Sequence, residues 1–262
     1  MSVPDAPATP LADGPAAAPP ARRVLAQAAF EARMILRNGE QVLVAVVIPV
    51  LALVGLVQTS FVALDTDGMS RVDFLTPGVL ALAVMTASFT SQAIATAFDR
   101  RNGVLRLMAT TPLGRGGLLA GKVLGVLAVE AVQVVLIGAA ALVLGWRPDP
   151  AGVLLALVGV VLGTAAFTAL ALLVAGTLRA EAVLALANLL LLVLALGGGV
   201  IVPADRLPGP LATLAAWLPS GALGDVLRGA LVDGALPLVP VLVLAGWTAV
   251  LGTLAARLFR WH

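Results

Sequence analysis

Six long and largely apolar runs constrain this chain more strongly than any other feature of its 262 residues. An α-helix rises about 1.5 Å per residue, so about 20 apolar residues cross the roughly 30 Å of hydrocarbon in a bilayer. Hydrophobic residues make up 60% of the chain and charged residues only 11%, whereas soluble domains are about a quarter charged. The sequence therefore predicts an all-α integral membrane protein with six transmembrane helices, at about residues 41–64, 74–98, 118–144, 152–177, 182–202 and 235–256.

The segments outside these runs predict three further features. Residues 1–21 are rich in proline and alanine, which is typical of a disordered tail. Residues 203–236 are broken by prolines, which predicts short re-entrant or interfacial helices before the last span. Residues 22–38 predict an amphipathic helix in the membrane interface, although a solvated helix docked on a partner fits the pattern equally well. The polar side of this helix carries Arg22, Arg23, Glu31, Arg33 and Arg37.

The distribution of basic residues predicts the topology. Four arginines lie in the N-terminal helix, five Lys or Arg residues lie in residues 99–122, and three more follow at Arg179 and the C-terminus. The opposite side of a six-span arrangement holds only four. Because cytoplasmic loops carry the excess of Lys and Arg, we expect a multi-pass protein of the inner or plasma membrane with both termini in the cytoplasm.

Several function classes lack the residues that they need. Cysteine is absent and the single histidine is the C-terminal His262, so neither thiol catalysis nor a metal site is expected. Gly121-Lys122 resembles the end of a nucleotide-binding P-loop, but Val123 stands where Ser or Thr would hold magnesium. The basic residues lie at the ends of the apolar runs, which suits topology better than nucleic-acid binding. We predict neither catalytic activity nor a cofactor in this chain.

A few polar residues lie inside the apolar runs. Glu130 is the one acid well inside a span, where an unpaired carboxylate is costly. A hydrogen-bonded structural glutamate and a transport role fit this position equally well. We interpret Gln92, Gln133 and Asn188 as polar packing between helices or as part of a translocation path.

The most informative stretch, residues 99–122, lies between the second and third runs. In order, it contains Asp99, Arg100, Gly103, Leu105, Leu107, Thr110-Thr111-Pro112 and Gly121-Lys122. This order resembles the first cytoplasmic loop of the membrane permeases of type-2 ATP-binding-cassette (ABC) exporters, the daunorubicin-resistance and polysaccharide-export permeases. The N-terminal helix, the six spans and the broken segment before the last span are also similar to this family. One departure is Asp99, where the family usually has glutamate.

The resemblance implies a domain over residues 22–262 that exports a substrate while a separate ABC ATPase subunit hydrolyses ATP with magnesium. It also implies that residues 99–117 form a coupling segment seated in a cleft of that ATPase, and that two permeases, identical or different, assemble around the substrate. An apolar pathway would suit an amphiphilic or lipid-like substrate. Two other functions stay open: a proton-coupled secondary transporter that uses Glu130, and a membrane scaffold that does not transport. The implied coupling residues are Asp99, Arg100, Arg101, Gly103, Leu105, Arg106, Leu107, Thr110, Thr111, Pro112 and Leu113.

Overall fold

The computed structural model of the chain describes residues 18–59, 66 and 68–259, without the side chains of residues 40, 41 and 44. All regular elements within these residues are helical, which confirms the all-α prediction for the described part of the chain. Most of the predicted N-terminal tail lies outside the described residues.

The N-terminal part consists of two helical stretches. The first contains α1 (Pro20–Arg37), α2 (Gly39–Val42), a π-helical turn (Leu43–Val47) and α3 (Ile48–Gln58). The second contains α4 (Arg71–Met85), a π-helical turn (Thr86–Ser91), α5 (Gln92–Arg101) and α6 (Val104–Ala109). Ser70 caps α4, since its hydroxyl oxygen accepts a hydrogen bond from Asp73 N at 3.2 Å.

The remaining elements are α7 (Gly114–Val143), α8 (Pro150–Thr177), α9 (Ala180–Gly197), a 3-10 turn (Ala204–Arg206), α10 (Pro210–Trp217), α11 (Pro219–Leu231) and α12 (Leu238–Leu258). Asp149 caps α8, because its Oδ1 accepts a hydrogen bond from Ala151 N at 2.9 Å. α9 ends before the predicted boundary near residue 202, because Gly198 and Gly199 follow it and Gly199 has a φ of +77°.

Five of the predicted membrane runs correspond to helices that are long and apolar enough to cross a bilayer. They are Arg71–Arg101, Gly114–Val143, Pro150–Thr177, Ala180–Gly197 and Leu238–Leu258. The first predicted run, residues 41–64, differs, because its described apolar helix covers only Ala45–Gln58. Pro49 lies in the first turn of α3, directly after a π-helical turn that already interrupts the helical hydrogen bonds. A sixth crossing stays a prediction.

The core of the bundle is built around α11, which is buried over most of its length and packs against α4, α8 and α12. Glycines of α8 allow this close approach. A Cβ added at Gly163 would lie 2.8 Å from Leu223 Cδ1, and one added at Gly152 would lie 2.3 Å from the carbonyl oxygen of Ala230. The proline-broken segment therefore contains two short helices, α10 and α11, whose position in a membrane stays a prediction.

Candidate functional site

The predicted coupling segment folds into a short helix, α6, with a glycine on each side. Gly103 (φ +78°) precedes α6, and Gly114 (φ +70°) is the first residue of α7. Both positions are in the left-handed region that favours glycine. The hydroxyls of Thr110 and Thr111 donate to carbonyl oxygens of α6 at 2.8 and 2.6 Å, and so satisfy acceptors that lack partners at a helix end.

α6 has one side in the protein and the other side exposed. Leu105 is fully buried in a cluster with Leu118 and Leu172. Leu107 is 71% exposed, and Arg106 and residues 110–112 are also exposed. The helix is therefore anchored by one leucine, while most of the other predicted coupling residues form a surface that the described residues leave exposed.

The residues just before α6 make contacts within the chain. Arg100 donates from Nη1 to the carbonyl oxygen of Ala175 at 2.8 Å and from Nη2 to that of Leu178 at 2.5 Å. These bonds satisfy carbonyls at the end of α8 and connect α8 to the coupling segment. Arg101 pairs with Glu181 at 2.8 Å, but both side chains are exposed and such pairs contribute little stability.

A buried charge cluster centred on Lys122 lies in α7, close to the coupling segment. Lys122 is fully buried, and its Nζ lies 2.8 Å from Glu31 Oε1 of α1. The same ammonium lies 3.9 Å from Asp99 Oδ2 and 3.4 Å from Gln92 Oε1, both of α5. Gln27 Nε2 donates to Glu31 Oε1 at 2.9 Å. The cluster therefore joins α1, α5 and α7 through one positive charge.

Burial of Glu31 revises the prediction for α1. Glu31 was predicted on an exposed polar face, but only 6% of it is exposed, and it faces α7. α1 lies lengthwise along the first turns of α7, where glycines allow close contact: a Cβ at Gly121 would lie 2.6 Å from Gln27 Cγ, and one at Gly125 would lie 2.7 Å from Glu31 Cβ. Arg23 also leaves the exposed face, since its Nη1 donates to the carbonyl oxygen of Pro112 in the coupling segment.

Gln133 donates a hydrogen bond to a backbone carbonyl near Pro49, a residue that has no backbone N–H of its own to donate. In an α-helix the carbonyl of Ala45 would accept from the backbone N–H of residue 49, but residue 49 is proline and has none. Gln133 Nε2 of α7 donates to this carbonyl oxygen instead. Gln133 thus has a structural partner in the part of the chain that the predicted first span occupies.

Glu130 is buried, and its carboxyl contacts Thr164 of α8. Thr164 Oγ1 is within hydrogen-bonding distance of both Glu130 Oε2 and the carbonyl oxygen of Val160, the latter at 2.7 Å. A hydroxyl has one hydrogen to donate. Both contacts are therefore satisfied together when the proton between Glu130 and Thr164 comes from a neutral Glu130 carboxyl.

The four predicted polar residues of the spans are thus not brought to one place. Gln92 joins the Lys122 cluster, whereas Glu130 and Gln133 contact α8 and the π-helical turn before α3. Asn188 is exposed on α9, and within the described part of the chain it donates to the carbonyl oxygen of Leu184 in its own helix, at 2.9 Å. The sequence analysis did not predict that Lys122 joins three helices. The available signal was its position, because the only lysine of the chain lies at the start of a long apolar helix.

A cavity of about 800 Å³ lies against α10 and α11, and no residue of the coupling segment lines it. Its lining includes Asp225 and Arg228. Arg228 Nη2 lies 2.8 Å from Asp225 Oδ1. The same guanidinium also donates to the carbonyl oxygens of Gly199 and Val200. Burial raises the pKa of Asp225 above its ordinary value, while the hydrogen bond from Arg228 opposes that shift. This arginine holds the chain after α9 against α11.

Comparison with protein families matches residues 23–232 to the ABC-2 type transporter family. The match extends from α1 to the end of α11 and includes the coupling segment and the Lys122 cluster. A search of curated proteins finds no match to the chain. The match and the five long apolar helices confirm a multi-pass membrane protein whose role is transport rather than catalysis, in a family that works with an ATPase subunit. The chain belongs to the ABC-2 type transporter family and is a membrane permease of an ABC transporter.

Proposed function

We propose that this permease exports an amphiphilic or lipid-like substrate, driven by ATP hydrolysis on a separate ATPase subunit that docks on α6. ATP and magnesium would be held by that partner. We place the chain with the daunorubicin-resistance and polysaccharide-export permeases, in the inner or plasma membrane with both termini cytoplasmic. The order of residues in the coupling segment and the distribution of basic residues support these assignments.

The observation that carries the proposal is the opposite burial of two leucines in α6. Leu105 holds the helix in the bundle, while Leu107 is exposed beside Arg106 and the Thr110–Pro112 turn. Burial of an exposed leucine at a protein interface is favourable, whereas an exposed leucine in water contributes nothing. Exposed polar and basic groups surround Leu107 together with Val104, and this mixture suits a cytoplasmic protein partner.

Three contacts would carry movement of α6 into the bundle. Arg100 binds the end of α8, Arg23 binds the coupling segment from α1, and Lys122 joins α1, α5 and α7. All three contacts are charge-assisted, because each has an ionised arginine or lysine as its donor. The helices that they join should therefore move together when the ATPase closes on ATP. That movement would open the pathway outward.

The pathway itself would form between two permease subunits, identical or different. The exposed side of α9 is mostly apolar, as Leu189, Leu192 and Leu196 illustrate, with Asn188 as a polar residue among them. An apolar wall of this kind suits the hydrocarbon part of an amphiphile.

Co-purification with the ATPase subunit tests the docking surface. Leu107→Gln should abolish co-purification and ATP-dependent substrate movement in membrane vesicles, because it removes the main exposed apolar contact of α6. Leu211→Gln is the matched control, since Leu211 is 46% exposed in the short helix α10 and should retain the complex. A wild-type complex that hydrolyses ATP without moving any amphiphile would support the scaffold instead.

The proton-coupled alternative is tested at Glu130. If Glu130 is a structural acid that shares a proton with Thr164, Glu130→Gln should retain most transport, because the amide can donate to the same hydroxyl. A proton carrier requires a titrating group, so Glu130→Gln would abolish transport under that alternative. Transport that follows a proton gradient in the absence of ATP would likewise contradict our proposal.

A further inference from the structure

α1 has a second surface, opposite its contact with α7. Arg22, Arg33 and Arg37 are exposed, and at about 100° per residue they lie within roughly 60° of one another on the helix. Among the side chains that the structure describes, none makes an ion pair or hydrogen bond with these three arginines. We call these three residues the arginine ridge.

The arginine ridge has no acidic residue of α1 beside it. Glu31 is the only acid within α1, and at about 100° per residue it lies on the side opposite the ridge, where it pairs with Lys122. Arg23 is also withdrawn, because it binds the carbonyl oxygen of Pro112. The outer surface of α1 therefore carries three arginines without a compensating carboxylate from the same helix.

Large apolar side chains border the ridge on both sides. Leu25 (61% exposed) and Leu36 (42%) lie on one side, and Phe30 (48%) and Met34 (52%) lie on the other. Arginine heads beside exposed apolar side chains suit the boundary between lipid headgroups and acyl chains. The neighbouring part of α7, from Val123 onward, is apolar up to Glu130, so α1 adjoins a segment that should enter the membrane.

We propose that the arginine ridge of α1 binds the phosphate groups of anionic phospholipids in the cytoplasmic leaflet. The planar guanidinium forms paired hydrogen bonds with phosphate oxygens, and an anionic leaflet attracts each basic residue near its surface. This inference rests on the cytoplasmic orientation in the proposed function. It adds a lipid requirement that the ATPase contact at α6 does not have.

The test uses the full-length permease alone, in nanodiscs of phosphatidylcholine with a minority of phosphatidylglycerol. Lipids retained by the purified protein are quantified by mass spectrometry. The wild type should enrich phosphatidylglycerol over its bulk proportion, and the triple variant Arg22→Gln, Arg33→Gln, Arg37→Gln should lower the enrichment to near the bulk value. High salt should reduce the enrichment by the wild type, because the attraction is screened.

A second triple variant, Arg101→Gln, Arg106→Gln, Arg179→Gln, removes the same charge from the same predicted side of the membrane. It should retain the enrichment. Equal loss in both triple variants would mean that net charge alone attracts the lipid and would overturn the ridge as a site. Unchanged enrichment in the ridge variant, with loss of ATPase co-purification, would assign the ridge to a protein partner. The lipid measurement needs no ATPase. Its result would therefore remain interpretable even if the Leu107 experiment contradicted the docking proposal.

Discussion

At Lys122, one ammonium group serves two carboxylates and one amide oxygen from two other helices. Glu31 is at 2.8 Å, and Asp99 and Gln92 of α5 are farther away, at 3.9 and 3.4 Å. Removing two charges from water is costly, and their mutual attraction offsets that cost only while both charged side chains are present. The interaction between α1 and α7 therefore depends on keeping the pair intact.

Lys122→Met should destabilise the protein by about 3–5 kcal/mol, because it leaves the buried Glu31 carboxylate without its positively charged partner. The double variant Lys122→Met, Glu31→Leu should recover much of this loss, since the pair is replaced by apolar side chains. Thermal unfolding in detergent measures both variants. A double variant no more stable than the single one would contradict the pairing.

Gln133 allows a separate test at the residue scale. Gln133→Leu should cost about 1–3 kcal/mol, because the carbonyl of Ala45 loses its donor. In a Pro49→Ala background the same change should cost less, since the backbone N–H at position 49 becomes available to that carbonyl. If Gln133→Leu costs the same in both backgrounds, Gln133 does not compensate for the backbone N–H that Pro49 lacks.

At the scale of elements, α1 is held on α7 by glycines as well as by charge. A Cβ at Gly125 would lie 3.1 Å from the carbonyl oxygen of Ala28 and 2.7 Å from Glu31 Cβ, so a larger residue must displace the backbone of α1. Gly138 lies in the same helix but would bring a Cβ no closer than 3.9 Å to Trp146.

Gly125→Leu should therefore detach α1, whereas Gly138→Leu should leave it in place. The chain has no cysteine, so a single Ala32→Cys, at a position that is 8% exposed, reports the contact directly. A membrane-impermeant maleimide should label this cysteine in the Gly125→Leu variant, and label it only slowly in the Gly138→Leu variant. Slow labelling in both would mean that α1 tolerates the added volume.

The elements differ in how far the sequence could predict them. The five long helices follow from apolar runs of membrane length, in which only Lys122 and Glu130 of the third run are charged. The first run was harder, because Pro49 and a π-helical turn interrupt it. Polarity alone could not place Glu31 on the packed face of α1, because Glu31 resembles an exposed residue until Lys122, far away in the sequence, is brought against it.

At the scale of the whole molecule, the coupling segment connects several helices at one end of the bundle. α6 is anchored through Leu105 among residues of α7, α8 and α12, and Arg100 reaches the end of α8. Sequence resemblance predicted the segment as a unit. Only the structure separates Leu105, Asp99 and Arg100, whose side chains contact other helices, from Leu107 and Arg106, whose side chains are exposed. A probe of ATPase docking must therefore use the second group.

The most direct test of the docking proposal is photo-crosslinking from α6 in cells. A photoreactive amino acid at Leu107 should crosslink to a protein that mass spectrometry identifies as an ABC ATPase subunit, while the same group at Leu211 in α10 should not. A crosslink to the ATPase from Leu107 alone is the result that we predict. ATP-driven export without a crosslink at Leu107, or a crosslink to the ATPase from Leu211, would contradict the assignment of α6 as the docking element.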